Sequence, residues 1–394
     1  MNLIVSGQWF PEYSGVGNRI EKTYNELDIE YCVISGIWNN DKIEYNNFKC
    51  RYIKKYNLNM NNNIKNKIIK KMLYLVNLFI TFFKVPFELK KIKNKFKNID
   101  TIHTLRGGGF LYFYVVFWAE YIFKDFNLVV ENAGGDGYDQ LVHTGKSALG
   151  LNMLSFIGVY IFTYVIKKAD YIIYASEHLK SPSFKTKAKE FIRNAYYDSN
   201  IFHPVNNNEK LKLKEKYSIS QNKKIFLTIG MVDTLKNQQF IANILNEINF
   251  DNWIWLVVGT SNDNMEYVSE LKSLIGDKMI YIYKWNDKAY EYYQLSDFYL
   301  FASTREGNNN TINEALMCGL PVVILENECY SHLHKFKDVY KESISLCNNQ
   351  EEFKLSIETI LQSEVIANKI YKVALKLYSK DKYYGIYKKV LGIR

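Results

Sequence analysis

Short apolar runs rich in β-branched and aromatic residues recur along the chain, separated by helical-length segments. The runs fall at 2–6, 31–37, 100–105, 128–133 and 170–175, then at 225–230, 253–259, 279–284, 297–303 and 321–325. This alternation predicts repeated βαβ units and parallel sheets. Trp253–Gly259 is apolar throughout, the pattern of a strand covered on both faces. Between the two sets of runs, residues 194–224 pass from an amide-rich stretch containing Pro204 to a charged helical segment, so a boundary is expected near 200–210. The expected fold is α/β, with two Rossmann-like, doubly wound domains over 1–205 and 206–375 and a terminal helix over 376–394 that packs back on the first domain. No strand is expected after 325, and 350–394 reads as helix. Open α/β sheets bind ligands at the carboxyl ends of their strands. An interdomain cleft is therefore the expected site.

With 394 residues the chain exceeds what one core usually serves, and 47% apolar with 23% charged content is that of a folded, soluble protein. Its five cysteines are scattered and never in CxxC spacing, which argues against a disulfide framework or zinc site and for a reducing cytosol. Met1–Gly7 lacks a basic region and a long apolar run, so it reads as a first strand and not a signal peptide.

The formal charge of +10 is concentrated. Residues 51–100 hold 13 Lys and Arg against Glu88 and Asp100, a balance of +11, and leave the rest of the chain near neutral. Within 65–97 an uncharged segment from Met72 to Phe83 is flanked by lysines on both sides. Its 12 residues are too few to cross a bilayer, which needs about 20 in helix, but suit insertion at an anionic membrane surface. A buried helix with lysines at its edges is the competing reading. Nucleic-acid binding has no accompanying motif and is not expected.

Candidate chemistry gathers in loops that follow predicted strands. After 297–303 comes Ser303-Thr-Arg-Glu306-Gly-Asn-Asn-Asn-Thr-Ile-Asn-Glu314-Ala-Leu-Met-Cys-Gly319, then Leu-Pro-Val-Val. Ile312, Ala315 and Leu316 have helical spacing, and Gly319 suits the position just past the helix. Ser303-x-x-Glu306 and Thr311-x-x-Glu314 each match a capping box, so both acids have a purely structural reading. Three adjacent asparagines exceed what capping needs, and a helix N-terminus with free amides attracts anions. Both readings stand on the residues alone.

This stretch resembles the glutamate-x7-glutamate signature of the retaining family-4 glycosyltransferases of GT-B fold, within glycosyl transferases group 1. The resemblance implies that Glu314 accepts hydrogen bonds from the ribose hydroxyls of a nucleoside-diphosphate sugar and that Glu306 holds hydroxyls of the transferred sugar. Asn308, Asn309, Asn310 and Thr311 would meet diphosphate and sugar. An ionised carboxylate, a pure acceptor able to take two hydroxyl donors, suits both glutamates. It further implies a metal-independent hexosyltransferase acting in bacterial surface polysaccharide synthesis on a glycan acceptor, lipid-linked, from the inner face of the plasma membrane.

The loop after 225–230, Gly230-Met-Val-Asp-Thr-Leu-Lys236, resembles the family's diphosphate grip. Lys236 is present, but Met231 stands where the family carries arginine, and Arg305, Arg19 or Arg106 are candidate replacements. Gly15-Val-Gly17-Asn-Arg19 resembles the family's first glycine loop. After 128–133, Glu131-Asn-Ala-Gly-Gly-Asp136-Gly-Tyr-Asp139 lacks the histidine that many relatives carry there, and Asp136 or His143 are candidates for its part. His332-x-His334 has no third partner and no Asp-x-Asp occurs, so neither a metal nor any cofactor beyond the donor itself is expected. The rival expectations are a GT-B sugar-nucleotide epimerase, which needs no acceptor, and a non-catalytic partner subunit.

Overall fold

The computed structural model describes residues 1–6, 15–37, 49–57, 67–105, 110–132, 153–175, 186–193, 195–261, 265–283, 288–304, 310–327, 333, 343–363 and 366–393. The chain divides into two compact units, Met1–Arg193 with Tyr384–Arg394, and Asn194–Tyr383. The expected boundary at 205 thus compares with a division at 193/194, and the segment that returns to the first unit begins at Tyr384.

The first unit holds strands β1 (Asn2–Ser6), β2 (Tyr31–Ile37), β3 (Cys50–Asn57), β4 (Thr101–Leu105), β5 (Asn127–Asn132), β6 (Tyr171–Tyr174) and β7 (Lys189–Ile192). They form a seven-stranded sheet in the order β3-β2-β1-β4-β5-β6-β7, each neighbouring pair parallel. Its helices are α1 (Gly15–Glu26), α2 (Lys67–Phe96), α3 (Phe110–Ile122) and α4 (Met153–Lys168). Leu3 and Val5 enter a core with Leu128, Val130, Val115 and Val85, while Ile4 between them is buried on the opposite side.

In the second unit, α5 (Asn207–Lys216) precedes β8 (Lys224–Ile229), α6 (Gln238–Glu247), β9 (Trp253–Gly259), α7 (Met265–Ile275), β10 (Met279–Tyr283) and α8 (Ala289–Leu295). There follow β11 (Phe298–Phe301), α9 (Asn310–Met317), β12 (Val322–Leu325), β13 (Ile344–Cys347), α10 (Gln350–Gln362), α11 (Ala367–Leu377) and α12 (Lys380–Val390), whose C-terminal part belongs to the first unit. The six strands lie parallel in the order β10-β9-β8-β11-β12-β13. Alternate residues feed two cores: Leu256 and Val258 of β9 join Ile225, Leu227 and Ile229 on one face, and Trp253, Trp255 and Val257 join Phe226 on the other. The unbroken apolarity of β9 follows from this double cover.

β13 overturns the expectation that strands stop at 325. β3, β7 and β13 all escape the sequence reading, and all three are sheet edges. These three edge strands are short or charged and lack the continuous apolar run that marks β1 or β9, whereas the edge strand β10 keeps one, MIYIY, and was expected. β3 reads CRYIKKYN and β7 reads KEFI.

In each sheet the strand order reverses once, between β1 and β4 and between β8 and β11. The crevice at such a reversal, outside the carboxyl ends of the strands, is where open α/β sheets take ligands.

Candidate functional site

In the second unit the chain leaves β8 and β11 side by side at the reversal. Backbone and short side chains stitch the two departing loops together. The Leu235 carbonyl, next to Lys236, accepts from the Thr304 amide at 2.9 Å, the Thr304 hydroxyl at 3.0 Å and the Ser303 hydroxyl at 3.3 Å. Asn327, just past β12, donates through Nδ2 to the Ser303 carbonyl at 2.7 Å. Thr304 is two positions before Glu306, so this suture fixes the start of the acidic motif against the lysine loop. Ser303 therefore gives its hydroxyl to Leu235.

The lysine loop is itself tightly built. The Gly230 amide donates to Val258 at 3.0 Å and the Val232 amide to Thr260 at 2.8 Å. Gln238 donates to the Met231 carbonyl at 2.7 Å. Asp233 accepts from the Lys236 amide with both its carbonyl, at 3.1 Å, and its Oδ1, at 2.9 Å, which closes the turn. Asn237, at φ 56°, then turns the chain into α6. Gly259 makes this packing possible: a Cβ there would lie 1.7 Å from the Gly230 carbonyl oxygen. Its φ of 153° is also one that side chains disfavour. Lys236 is half-buried, and Met231, where the resemblance implies arginine, is 41% exposed.

Helix α9 carries the second glutamate. Ile312, Ala315 and Leu316 are wholly buried, and Gly319 takes φ 76° past the helix end. A Cβ at Gly319 would meet Ala367 and Pro204 within 2.9 Å. Glu314 lies in the second turn, where the Tyr293 hydroxyl donates to its Oε2 at 2.7 Å. Burial pushes the Glu314 carboxyl up to about 7, with the Tyr293 hydrogen bond pulling in the opposite direction. Thr311 falls inside the helix, so the Thr311-x-x-Glu314 pattern is no capping box here. The Tyr197 hydroxyl instead lies 3.2 Å from both the carbonyl and Oδ1 of Asn310. Tyr378 donates to Asn313 Oδ1 at 2.6 Å. Two of the motif's amides are thus engaged by tyrosines.

Glu306, Arg305, Asn308, Asn309, Asp136 and His143 lie outside the described residues, as do Arg106, His332 and His334. In the first unit, Gly15 and Gly17 form the first turn of α1. Arg19, a candidate for the missing phosphate-binding cation, donates to Glu131 Oε1 at 2.5 Å. Glu131 is wholly buried at the end of β5, not a free acid of a glycine turn. Its Oε1 also lies 3.3 Å from Arg193 Nε, and its Oε2 accepts from Tyr387 of α12 at 2.9 Å and lies 3.5 Å from His103 Nε2. Burial alone would raise this carboxyl; Arg19 and Arg193, helped by His103, outweigh it and hold the group well below the usual range.

Sequence reasoning missed Tyr293, Leu235 and Asn327 in the second unit and Arg193, His103 and Tyr387 in the first. Leu235 acts through its backbone, which leaves no residue signature. Tyr293 sits 21 positions before its partner, one of several tyrosines on α8. Among the described residues no group of three or more His, Cys, Asp or Glu side chains is arranged to hold a metal ion.

The site occupies the stretch that comparison with known proteins singles out: residues 209–377 match the model of the family described as glycosyl transferases group 1. This match spans less than half of the chain. The chain is 21% identical over 232 residues to a Campylobacter jejuni protein named N-acetylgalactosamine-N,N'-diacetylbacillosaminyl-diphospho-undecaprenol 4-alpha-N-acetylgalactosaminyltransferase. That match covers 58% of this chain and 60% of the relative. In fold it is similar to sucrose-phosphate synthase from Thermosynechococcus elongatus, with TM-score 0.72, 14% identity and 100% of both chains covered. It is likewise similar to Anabaena HepE in complex with UDP, with TM-score 0.69, 12% identity and 100% of both chains covered. Its two parallel-sheet α/β units are those of the GT-B glycosyltransferase fold.

Proposed function

We propose that this chain is a retaining, metal-independent glycosyltransferase of family 4, moving a hexosyl group from a nucleoside-diphosphate sugar to a lipid-linked glycan in bacterial surface polysaccharide synthesis. One observation carries the reading: the Leu235 suture joins the Lys236 loop to the start of the acidic motif at the carboxyl ends of β8 and β11. The loop of a phosphate-seeking cation is thereby tied to Ser303 and Thr304, the start of the motif that runs on to Glu314. The name of the Campylobacter jejuni relative, which includes a saccharide joined to diphospho-undecaprenol, supports a lipid-linked acceptor.

In this mechanism Glu314 accepts the ribose hydroxyls and Glu306 accepts hydroxyls of the transferred sugar, as the resemblance implies. Lys236 and the nearby main-chain amides take the negative charge that grows on the diphosphate as its bond to the anomeric carbon breaks. The acceptor hydroxyl oxygen forms the new bond to that carbon from the same face, and its proton passes to the departing phosphate oxygen. Atoms and charge balance without a side-chain nucleophile.

The test is a thermal-shift panel of nucleotide-sugars, followed by labelled-sugar transfer with and without membrane lipid extract. A donor raises the unfolding midpoint by mass action, and Glu314→Ala removes that rise. Turnover that needs no acceptor points to epimerisation instead. A donor-induced shift that survives both Glu306→Ala and Glu314→Ala, or no shift with any donor, overturns the reading.

A further inference from the structure

Helix α2 is one continuous helix of 30 residues, about 45 Å long, that runs through Pro86. It is apolar on two faces. Leu78, Val85, Leu89 and Ile92 point inward and are at most 5% exposed. Phe82 packs among Tyr114, Phe117 and Trp118 of α3, and the Trp118 indole donates to the Phe82 carbonyl at 2.9 Å. The opposite face carries Ile69, Met72, Val76, Phe79, Phe83 and Phe87, spaced three or four apart and 48–66% exposed. Such spacing aligns them in a single stripe. A soluble surface does not leave so many large apolar side chains in a row in water unless something covers them.

The charges say what covers it. Helix α2 has eight lysines and a single acid, Glu88. That acid is buried and taken internally: Tyr52 donates to it at 2.7 Å and Lys91 at 2.9 Å. Lys84, Lys90 and Lys91 are exposed beside the far end of the stripe. On α3, Tyr121 is 71% exposed with its ring 5.4 Å from Phe117, which itself packs on Phe82 of α2, and an exposed aromatic there suits a headgroup layer. A second copy would set lysines against lysines. No helix among the described residues is long and apolar enough to cross a membrane.

We propose that the outward face of α2 docks flat on an anionic phospholipid surface, with Phe79, Phe83 and Phe87 entering the headgroup boundary and Lys84 and Lys90 meeting lipid phosphates. A helix lying in the interface buries its apolar face while its lysines gain from the surface potential. This deepens the lipid-linked reading of the acceptor, yet its test needs no turnover, so either can fail without the other.

The experiment is sedimentation of the full chain with phosphatidylcholine vesicles that contain or lack phosphatidylglycerol. Binding is expected only with phosphatidylglycerol and falls as salt rises, since screening shortens the reach of the lysines. The triple change Phe79→Ser, Phe83→Ser, Phe87→Ser and the pair Lys84→Glu, Lys90→Glu each weaken it by about tenfold or more, with thermal midpoints unchanged because these side chains face solvent. Equal binding to both vesicles, or binding untouched by the serine changes, overturns the proposal. So does a wild-type dimer that the serine changes convert to monomer, or binding of an RNA homopolymer without vesicle binding.

Discussion

The hydroxyl of Tyr293 donates to Glu314 Oε2 at 2.7 Å, so a buried tyrosine holds the carboxylate that the proposed donor needs. Burial raises the Glu314 carboxyl from 4.5 to about 7, while the tyrosine favours the ionised form. Between those two pH values the folded chain keeps a proton that the unfolded chain gives up, so this group's contribution to stability falls as pH rises across that window. On the proposed function donor binding runs the other way, because ribose hydroxyls would need Glu314 ionised. Affinity for a nucleotide-sugar, whose esterified phosphates do not titrate near neutrality, is expected to climb from pH 6 to pH 8 and level off. Tyr293→Phe shifts the midpoint up by about one unit, and Glu314→Gln flattens the profile. Calorimetric titration across pH checks all three.

Lys236 and Met231 share one short loop but differ in what they would offer the diphosphate of the proposed donor. Loss of a transition-state cation costs roughly 100-fold to 1,000-fold in kcat. Lys236→Ala is expected to fall in that range while stability changes by no more than about 0.5 kcal/mol, since the side chain is half-buried. Met231 is 41% exposed and its carbonyl is already held by Gln238, so a longer side chain fits there without moving the backbone. Met231→Arg in the Lys236→Ala background is expected to recover about tenfold of kcat, equal to about 1.4 kcal/mol. Steady-state kinetics of the two variants, read against circular dichroism, test both statements.

Gly259 and Gly230 separate packing from backbone strain. Alanine at 259 places its Cβ 1.7 Å from the Gly230 carbonyl oxygen, so one of the two loops has to move. Alanine at 230 meets nothing within 4 Å and carries only the strain of φ 150°. Urea denaturation should therefore show Gly259→Ala costing several kcal/mol and Gly230→Ala on the order of 1–2 kcal/mol. Because Gly259 seats the loop that carries Lys236, any folded Gly259→Ala protein is also expected to lose donor affinity.

Legibility from sequence followed the physics of each element. Central strands such as Trp253–Gly259 announce themselves because both faces are buried, whereas β3, β7 and β13 sit at sheet edges and carry no comparable run. Glu314 and Lys236 were nominated because the motifs around them resemble those of a known family. The suture through the Leu235 carbonyl was not, since any residue supplies that atom, and the tie from Tyr293 needed the packing of α8 against α9. In the first unit Arg19 looked available to phosphate only because its partner, Glu131, is 112 positions away. The two-sided apolarity of α2 weakens its helical periodicity, so neither of its faces stood out in the chain.

Glu131 is wholly buried and joins β5 to Arg19 of α1, to Arg193 past β7 and to Tyr387 of α12. Burial works against its charge, and the two guanidiniums reverse that, so its folded pKa lies below the ordinary 4.5. Its stabilising contribution is therefore complete above that value and fades as pH falls towards the lowered one. Glu131→Gln removes the negative charge while Arg193 stays wholly buried, and breaking a buried pair in this way costs about 3–5 kcal/mol. Glu131→Gln is also expected to flatten the acid limb of the stability profile. Tyr387→Phe removes one hydrogen bond to a charged acceptor and is expected to cost less, about 1.5–3 kcal/mol. Denaturant unfolding of wild type and both variants at pH 4 and pH 7 decides the matter: if the cluster merely fills space, the two variants lose the same small amount at both pH values.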